Sequence, residues 1–229
     1  MDTTAQNVEE NPETKTQESR SILRIGDPAP QFEAPTTMGK ISLSDYKGKW
    51  VVLFSHPADF TPVCTTEFAA FAERNPEFVK RNVSLIGLSI DSVYSHLSWV
   101  HNIHEKMGIE IPFPVIADLS MEVANLYGMI HPAASETSTV RSVFVIDDKQ
   151  ILRAIIYYPL TSGRNMDEIL RLIDSLQTVD QHQVATPANW KPGDPVIVPP
   201  PQTYEGLQKR LQGEQGYDCV DWYLCKKTL

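Results

Sequence analysis

Cysteine is scarce in this chain, with three residues in 229. So few, and an odd number, rules out a disulfide scaffold and directs attention to chemistry at individual thiols. Long apolar runs are missing as well. No stretch approaches the roughly 20 apolar residues that a membrane span needs, and no basic start followed by an apolar run marks a secretory signal. Positive charge is in deficit: 20 Lys and Arg against 29 Asp and Glu leave a net charge of −9. That balance disfavours non-specific nucleic-acid binding, which rests on cations neutralising phosphates. Within residues 1–21, apolar side chains are confined to Met1, Ala5 and Val8. Such a segment buries too little surface to offset its ordering entropy, and a disordered extension is expected there.

What is present suffices for one full domain and a smaller appendage. Residues 50–55 (WVVLFS) form a short, almost wholly apolar run that reads as a buried central strand, and residues 83–90 form a second. Residues 114–117 and 142–146 are expected as further strands, with residues 151–158 pairing back as a hairpin. Helical patterns lie between them, at residues 65–74, 92–107, 120–127 and 166–181. In the second of these the apolar positions are 93, 97, 100, 103 and 107, and Gly108 supplies a stop. Strands alternating with helices indicate an α/β layered domain. Residues 185–201 hold six prolines and read as an extended arm, followed by a short helix at 204–212. The division expected is 1–21 as extension, 22–185 as the main domain and 186–229 as a C-terminal subdomain or exchange arm.

The chemistry concentrates in residues 55–67, SHPADFTPVCTTE, between a buried strand and a helix. Thr61 suits an N-cap, and Pro62 suits the first helical position, where its fixed φ fits and its missing N–H costs nothing. Cys64 then falls at the third helical position, among free N–H groups at the positive end of the helix, where a thiolate is stabilised. The Thr61 hydroxyl lies one turn away, and Pro57 shapes a loop that donates nothing and leaves the site partly dry. A cysteine so presented is set up as a nucleophile. A free cysteine at an arbitrary position is more often a small core residue, and the Thr-Pro cap reverses that preference. A metal centre is the other candidate. His101 and His104 have helical spacing but no cysteine close in sequence, and read as a solvated helix face. Cys219 and Cys225 lie six apart, about 120° from each other if helical, whereas paired zinc ligands usually lie two to four apart.

Pro57-x-x-x-Thr61-x-x-Cys64 matches the active-site pattern of the peroxiredoxins, and the longer string SHPADFTPVCTTE resembles the one-Cys-type subfamily. Arg141 in TVRSVFVID, Arg164 in TSGRNMDEILR and the arm ATPANWKPGDPVIVPP extend the resemblance over residues 22–229. It implies a thioredoxin-like fold and a thiol peroxidase that needs no metal, flavin or haem. Cys64 would be the peroxidatic cysteine, whose thiolate becomes a sulfenic acid. Thr61 would orient the peroxide, Arg141 would favour the thiolate and stabilise the leaving oxygen, and Pro57 would exclude water. His56 resembles a pocket histidine of the subfamily, and Glu67 and Arg164 would fix the orientation of Arg141 and the loop.

Two departures from the one-Cys pattern matter. Lys49 stands where some relatives carry a lipase-like serine, so ester hydrolysis is not expected. The chain also ends CVDWYLC, and Cys219 and Cys225 resemble the C-terminal cysteines with which archaeal and some bacterial members resolve the sulfenic acid, typically across subunits. The resemblance further implies a homodimer, often assembled as a decamer or dodecamer, with a thioredoxin-like dithiol protein as reductant. Working thiols and the lack of a signal fit a reducing cytoplasm. A chaperone that keeps the fold without turnover is disfavoured by the intact Pro57, Thr61, Cys64 and Arg141 set. Thioredoxin-type disulfide exchange wants Cys-x-x-Cys at the helix start, and position 67 is Glu.

Overall fold

A computed structural model describes residues 22–213 and 216–229, so the expectation for residues 1–21 lies outside the described residues. The strands are β1 (Glu33–Thr36), β2 (Gly39–Ser42), β3 (Trp50–Ser55), β4 (Val83–Ser89), β5 (Val115–Ala117), β6 (Arg141–Ile146), β7 (Leu152–Tyr158), β8 (Val196–Val198), β9 (Asp218–Asp221) and β10 (Leu224–Lys227). The helices are α1 (Pro62–Lys80), α2 (Val93–Met107), α3 (Glu122–Leu126), α4 (Met166–His182) and α5 (Tyr204–Leu211). The first seven strands make one sheet in the order β2-β1-β5-β4-β3-β6-β7. β3 lies at the centre of the chemistry, parallel to β4 and antiparallel to β6. All six of its residues are buried because both faces of the sheet are covered. Alternation along β3 sends Trp50, Val52 and Phe54 into a core with Phe68, Phe71 and Phe78 of α1 and Ile169 and Ile173 of α4. Val51 and Leu53 point the other way, against Leu43, Tyr127 and Phe144.

The α/β layering and the five expected strands agree with the structure, and the differences have physical causes. α1 continues through Pro76, which costs a backbone bond, because Phe78 on the buried face holds the last turns against the core. The buried face of α2 is His96, Trp99 and Ile103, while Leu97 and Met107 are nearly half exposed. Of the expected apolar positions, 97 and 107 therefore point outward while Ile103 lies on the buried face and Val100 packs beside it, and that face also takes in a histidine. The β1–β2 hairpin was not anticipated; Ala34 and Thr36 alternate into the interior over only four residues, and the Thr36 side chain closes the turn by donating to the Gly39 carbonyl at 2.6 Å. The proline-rich arm contributes β8, which pairs with β10 in a separate three-stranded sheet, β8-β10-β9.

Candidate active site

The loop from β3 to α1 leaves the carboxyl end of a central parallel strand, where α/β sheets commonly hold their sites. Phe60 takes a positive φ of 54° in this loop, an uncommon conformation for an aromatic residue, and is more than half exposed. Thr61 occupies the N-cap position in extended conformation and Pro62 follows at the first turn, as expected. The Thr61 hydroxyl does not cap the helix, however; it donates to the Ala58 carbonyl at 2.9 Å, stabilising the turn and keeping its lone pairs as acceptors. The first helical bond runs from Thr65 N–H to the Thr61 carbonyl, so the N–H groups of Val63 and Cys64 have no partner within the helix. Cys64 is fully buried and carries a free thiol.

Arg141, at the start of β6, directs Nη1 to Cys64 Sγ at 3.4 Å and to Glu67 Oε2 at 2.7 Å, and its Nε to the Leu160 carbonyl at 2.9 Å. Glu67 lies one turn beyond Cys64 on α1 and is clasped from the other side by Arg164, through Nε to Oε1 at 2.8 Å and Nη2 to Oε2 at 2.7 Å. The remaining Arg164 nitrogen donates to the Ser55 and Ser142 carbonyls, and the guanidinium stacks over Phe54 and Phe71. Burial alone would raise the Glu67 carboxyl, but Arg164 and then Arg141 overcome it and hold it below its ordinary value. Burial likewise draws Arg164 down from its ordinary value, with Glu67 opposing. Two guanidinium groups against one carboxylate leave one positive charge uncompensated where water is excluded. A negative charge on the Cys64 sulfur would complete the balance.

His56 belongs to a second buried network. Its Nε2 lies 3.0 Å from Asp59 Oδ1, and the same carboxylate meets His96 Nδ1 at 2.9 Å, while His96 Nε2 faces the Ile116 carbonyl. Both His96 nitrogens thus face acceptors. His56 Nδ1 is buried without a partner. Burial lowers the His56 imidazole from its ordinary value, with Asp59 opposing. For Asp59, burial would raise the carboxyl, and its bonds to His56 and His96 win and hold it well below the usual range. The ligand-type atoms of these three residues lie within 4.8 Å of one another, and at hydrogen-bond distances they satisfy each other. Asp59 and His96 carry no motif that marks them in the sequence. Asp59 stands three residues after His56, but nothing local to His96 marks it, since its partners come from other elements. His101 and His104 are exposed, as expected, and His101 faces Glu105.

Pro57 sits half-buried in the loop, and Lys49 is exposed ahead of β3. Cys219 and Cys225 are not brought to Cys64; they are bonded to each other. The terminal segment is a hairpin and not a helix, so residues six apart meet across strands. The small cysteine count therefore still yields one local disulfide.

A cysteine at a helix start, beside a buried arginine on a central sheet, defines a thiol oxidoreductase of thioredoxin-like architecture. The chain belongs to the peroxiredoxin family. Residues 25–155 match the AhpC/TSA family and residues 175–213 match the C-terminal domain of 1-Cys peroxiredoxin. Peroxiredoxin 2 of Caldanaerobacter subterraneus subsp. tengcongensis is 65% identical over 208 residues, covering 91% of this chain and 94% of that protein. A peroxiredoxin of Aquifex aeolicus is 64% identical over 220 residues, covering 91% and 98%. Among solved structures, a yeast mitochondrial 1-Cys peroxiredoxin, studied for thiol resolution through glutathione and thioredoxin systems, superposes with a TM-score of 0.81 at 46% identity, covering 90% of this chain and all of that one. The chain is thus a peroxidase oxidoreductase that works through thiols. Among the described residues no helix is long and apolar enough to cross a membrane.

Proposed function

We propose that this chain reduces hydrogen peroxide and small organic hydroperoxides at Cys64, which is resolved by Cys225 and recycled by a thioredoxin-like dithiol protein. The observation that carries the reading is the 3.4 Å contact of Arg141 with Cys64 Sγ inside a buried cluster whose charges balance when the sulfur is ionised. The thiolate attacks one peroxide oxygen and forms a sulfenic acid; the second oxygen leaves with a proton as alcohol or water. Arg141 stabilises the charge developing on that leaving oxygen. Thr61, its own hydrogen committed to Ala58, accepts from the peroxide O–H. Pro57 keeps bulk water from the sulfur, Glu67 and Arg164 position Arg141, and His56 borders the same helix start through its ring contact with Phe68 at 4.7 Å.

A Cys225 thiolate, supplied by the partner subunit of a homodimer, attacks the sulfenic sulfur and expels water, with Cys219 as the accompanying thiol. The reading includes assembly of dimers into a decamer or dodecamer, residence in the cytoplasm where dithiol carriers are reduced, and a division into residues 22–185 and 186–229. The test is peroxide consumption coupled to a thioredoxin system. The parent protein should turn over and Cys64→Ser should not; equal turnover by both would overturn the assignment.

A further inference from the structure

The disulfide that the structure holds is not one that Cys64 takes part in. β9 is the edge of the small sheet and all four of its residues are exposed, so Cys219 faces solvent, whereas β10 is central and Cys225 is fully buried. Their pairing depends on an irregularity. Asp221 lies opposite Leu224; a regular antiparallel continuation would put Val220 opposite Cys225 and leave Cys219 beside Lys226. The register shifts after that pair, and Cys219 lies opposite Cys225, with Cα atoms 4.0 Å apart. The bulge accommodates Val220 as the extra residue and sets the two thiols on one another.

We propose that the β9–β10 hairpin is an internal relay, in which the Cys64–Cys225 bond is exchanged for the Cys219–Cys225 bond before the external dithiol acts. The proposal rests on the resolving role given above to Cys225. After Cys225 has displaced water from the Cys64 sulfenic acid, the Cys219 thiolate attacks the Cys225 sulfur. A Cys219–Cys225 bond forms, the Cys64–Cys225 bond breaks, and Cys64 leaves as a thiolate beside Arg141. Over the cycle the hairpin dithiol loses two electrons and two protons, and the peroxide becomes alcohol and water. The external dithiol protein then attacks the exposed Cys219 sulfur, releases Cys225, and closes its own disulfide.

The direction of the exchange follows from burial. A disulfide at Cys64 requires the first turn of α1 to open, since the sulfur is inaccessible within the aromatic core. Returning Cys64 to its thiolate restores that packing and the charge balance with Arg141, Arg164 and Glu67. The hairpin bond requires only the pairing that β9 and β10 already have.

The full-length protein, reduced and freed of reductant, is given one equivalent of hydrogen peroxide, quenched with acid, alkylated and mapped by peptide mass spectrometry. Cys64 should be alkylated, and the terminal peptide should have lost two hydrogens as a Cys219–Cys225 disulfide. Cys219→Ser should accumulate the Cys64–Cys225 disulfide, and Cys64→Ser should form the hairpin disulfide far more slowly than the parent. A parent that ends with Cys64 bonded to Cys225 and Cys219 alkylated overturns the relay alone. A parent that ends with oxidised Cys64 and both terminal thiols alkylated overturns the resolving role as well. Formation of the hairpin disulfide in Cys64→Ser at the parent rate shows direct oxidation and also overturns the relay.

Discussion

At the scale of single residues, the reactive centre is a problem of holding charge in a dry place. Cys64 shares its surroundings with Arg141, Glu67 and Arg164, all of them buried. Replacing the sulfur nucleophile by oxygen in Cys64→Ser changes little in volume, so folding should survive while peroxide consumption falls to the rate of the dithiol alone; circular dichroism and a peroxidase assay check the two halves. Arg141→Ala removes the donor aimed at the sulfur and, in the proposed mechanism, at the departing oxygen. A roughly 10²–10³-fold fall in the rate with peroxide is expected, the usual magnitude for loss of one transition-state donor. Stopped-flow kinetics would show it, and an unchanged rate would remove Arg141 from the chemistry.

At the scale of elements, Glu67 ties α1 to β6 and to the segment ahead of α4 through the two arginines. Glu67→Gln leaves two guanidinium groups buried against no carboxylate, and a loss of about 3–5 kcal/mol is expected from chemical denaturation. The pH dependence has a definite sign. Glu67 titrates lower in the folded chain than in the unfolded one, so its contribution is complete above the unfolded value of about 4.3 and is lost as pH falls through the folded one. Glu67→Gln takes up no proton in either state and should flatten stability against pH in that acid window. Asp118, raised by burial, works in the opposite direction, so the comparison of variant with parent carries the result. Gly87 on β4 shows the same tight packing nearby: an added Cβ would stand 3.1 Å from the Phe68 ring and 3.4 Å from that of Phe54. Gly87→Ala should cost about 1–3 kcal/mol through overpacking, read as a lowered Tm.

At the scale of the whole molecule, the proposed resolving step would link the central sheet to a small sheet at the other end of the chain. In Cys219→Ser, oxidation should trap the bond between Cys64 and Cys225 as a covalent dimer on a non-reducing gel, and Cys219→Ser with Cys225→Ser together should abolish it. A dimer band persisting in the double variant could join only Cys64 to Cys64 and would remove the C-terminal thiols from the resolving role. Residues 1–21 carry apolar side chains only at Met1, Ala5 and Val8. Their removal should leave turnover unchanged in the coupled assay.

The sequence by itself determined the layered α/β order, the central strand at residues 50–55 and the presentation of Cys64, because each depends on local signals: an apolar run, a Thr-Pro helix start and a fixed spacing. It also pointed to Arg141 and Arg164, though only through resemblance, since they reach Glu67 from 74 and 97 positions away. Tertiary structure alone decided the rest. The Thr61 hydroxyl donates to the Ala58 carbonyl and accepts no N–H of its own helix, an orientation set by the fold of the loop. His96 joins the buried face of α2 because Asp59 and the Ile116 carbonyl satisfy both ring nitrogens where the chain packs. Cys219 and Cys225 met only because a register shift set them opposite each other. Pairing register and the partners of buried polar groups are set between segments distant in sequence, and no local pattern records them.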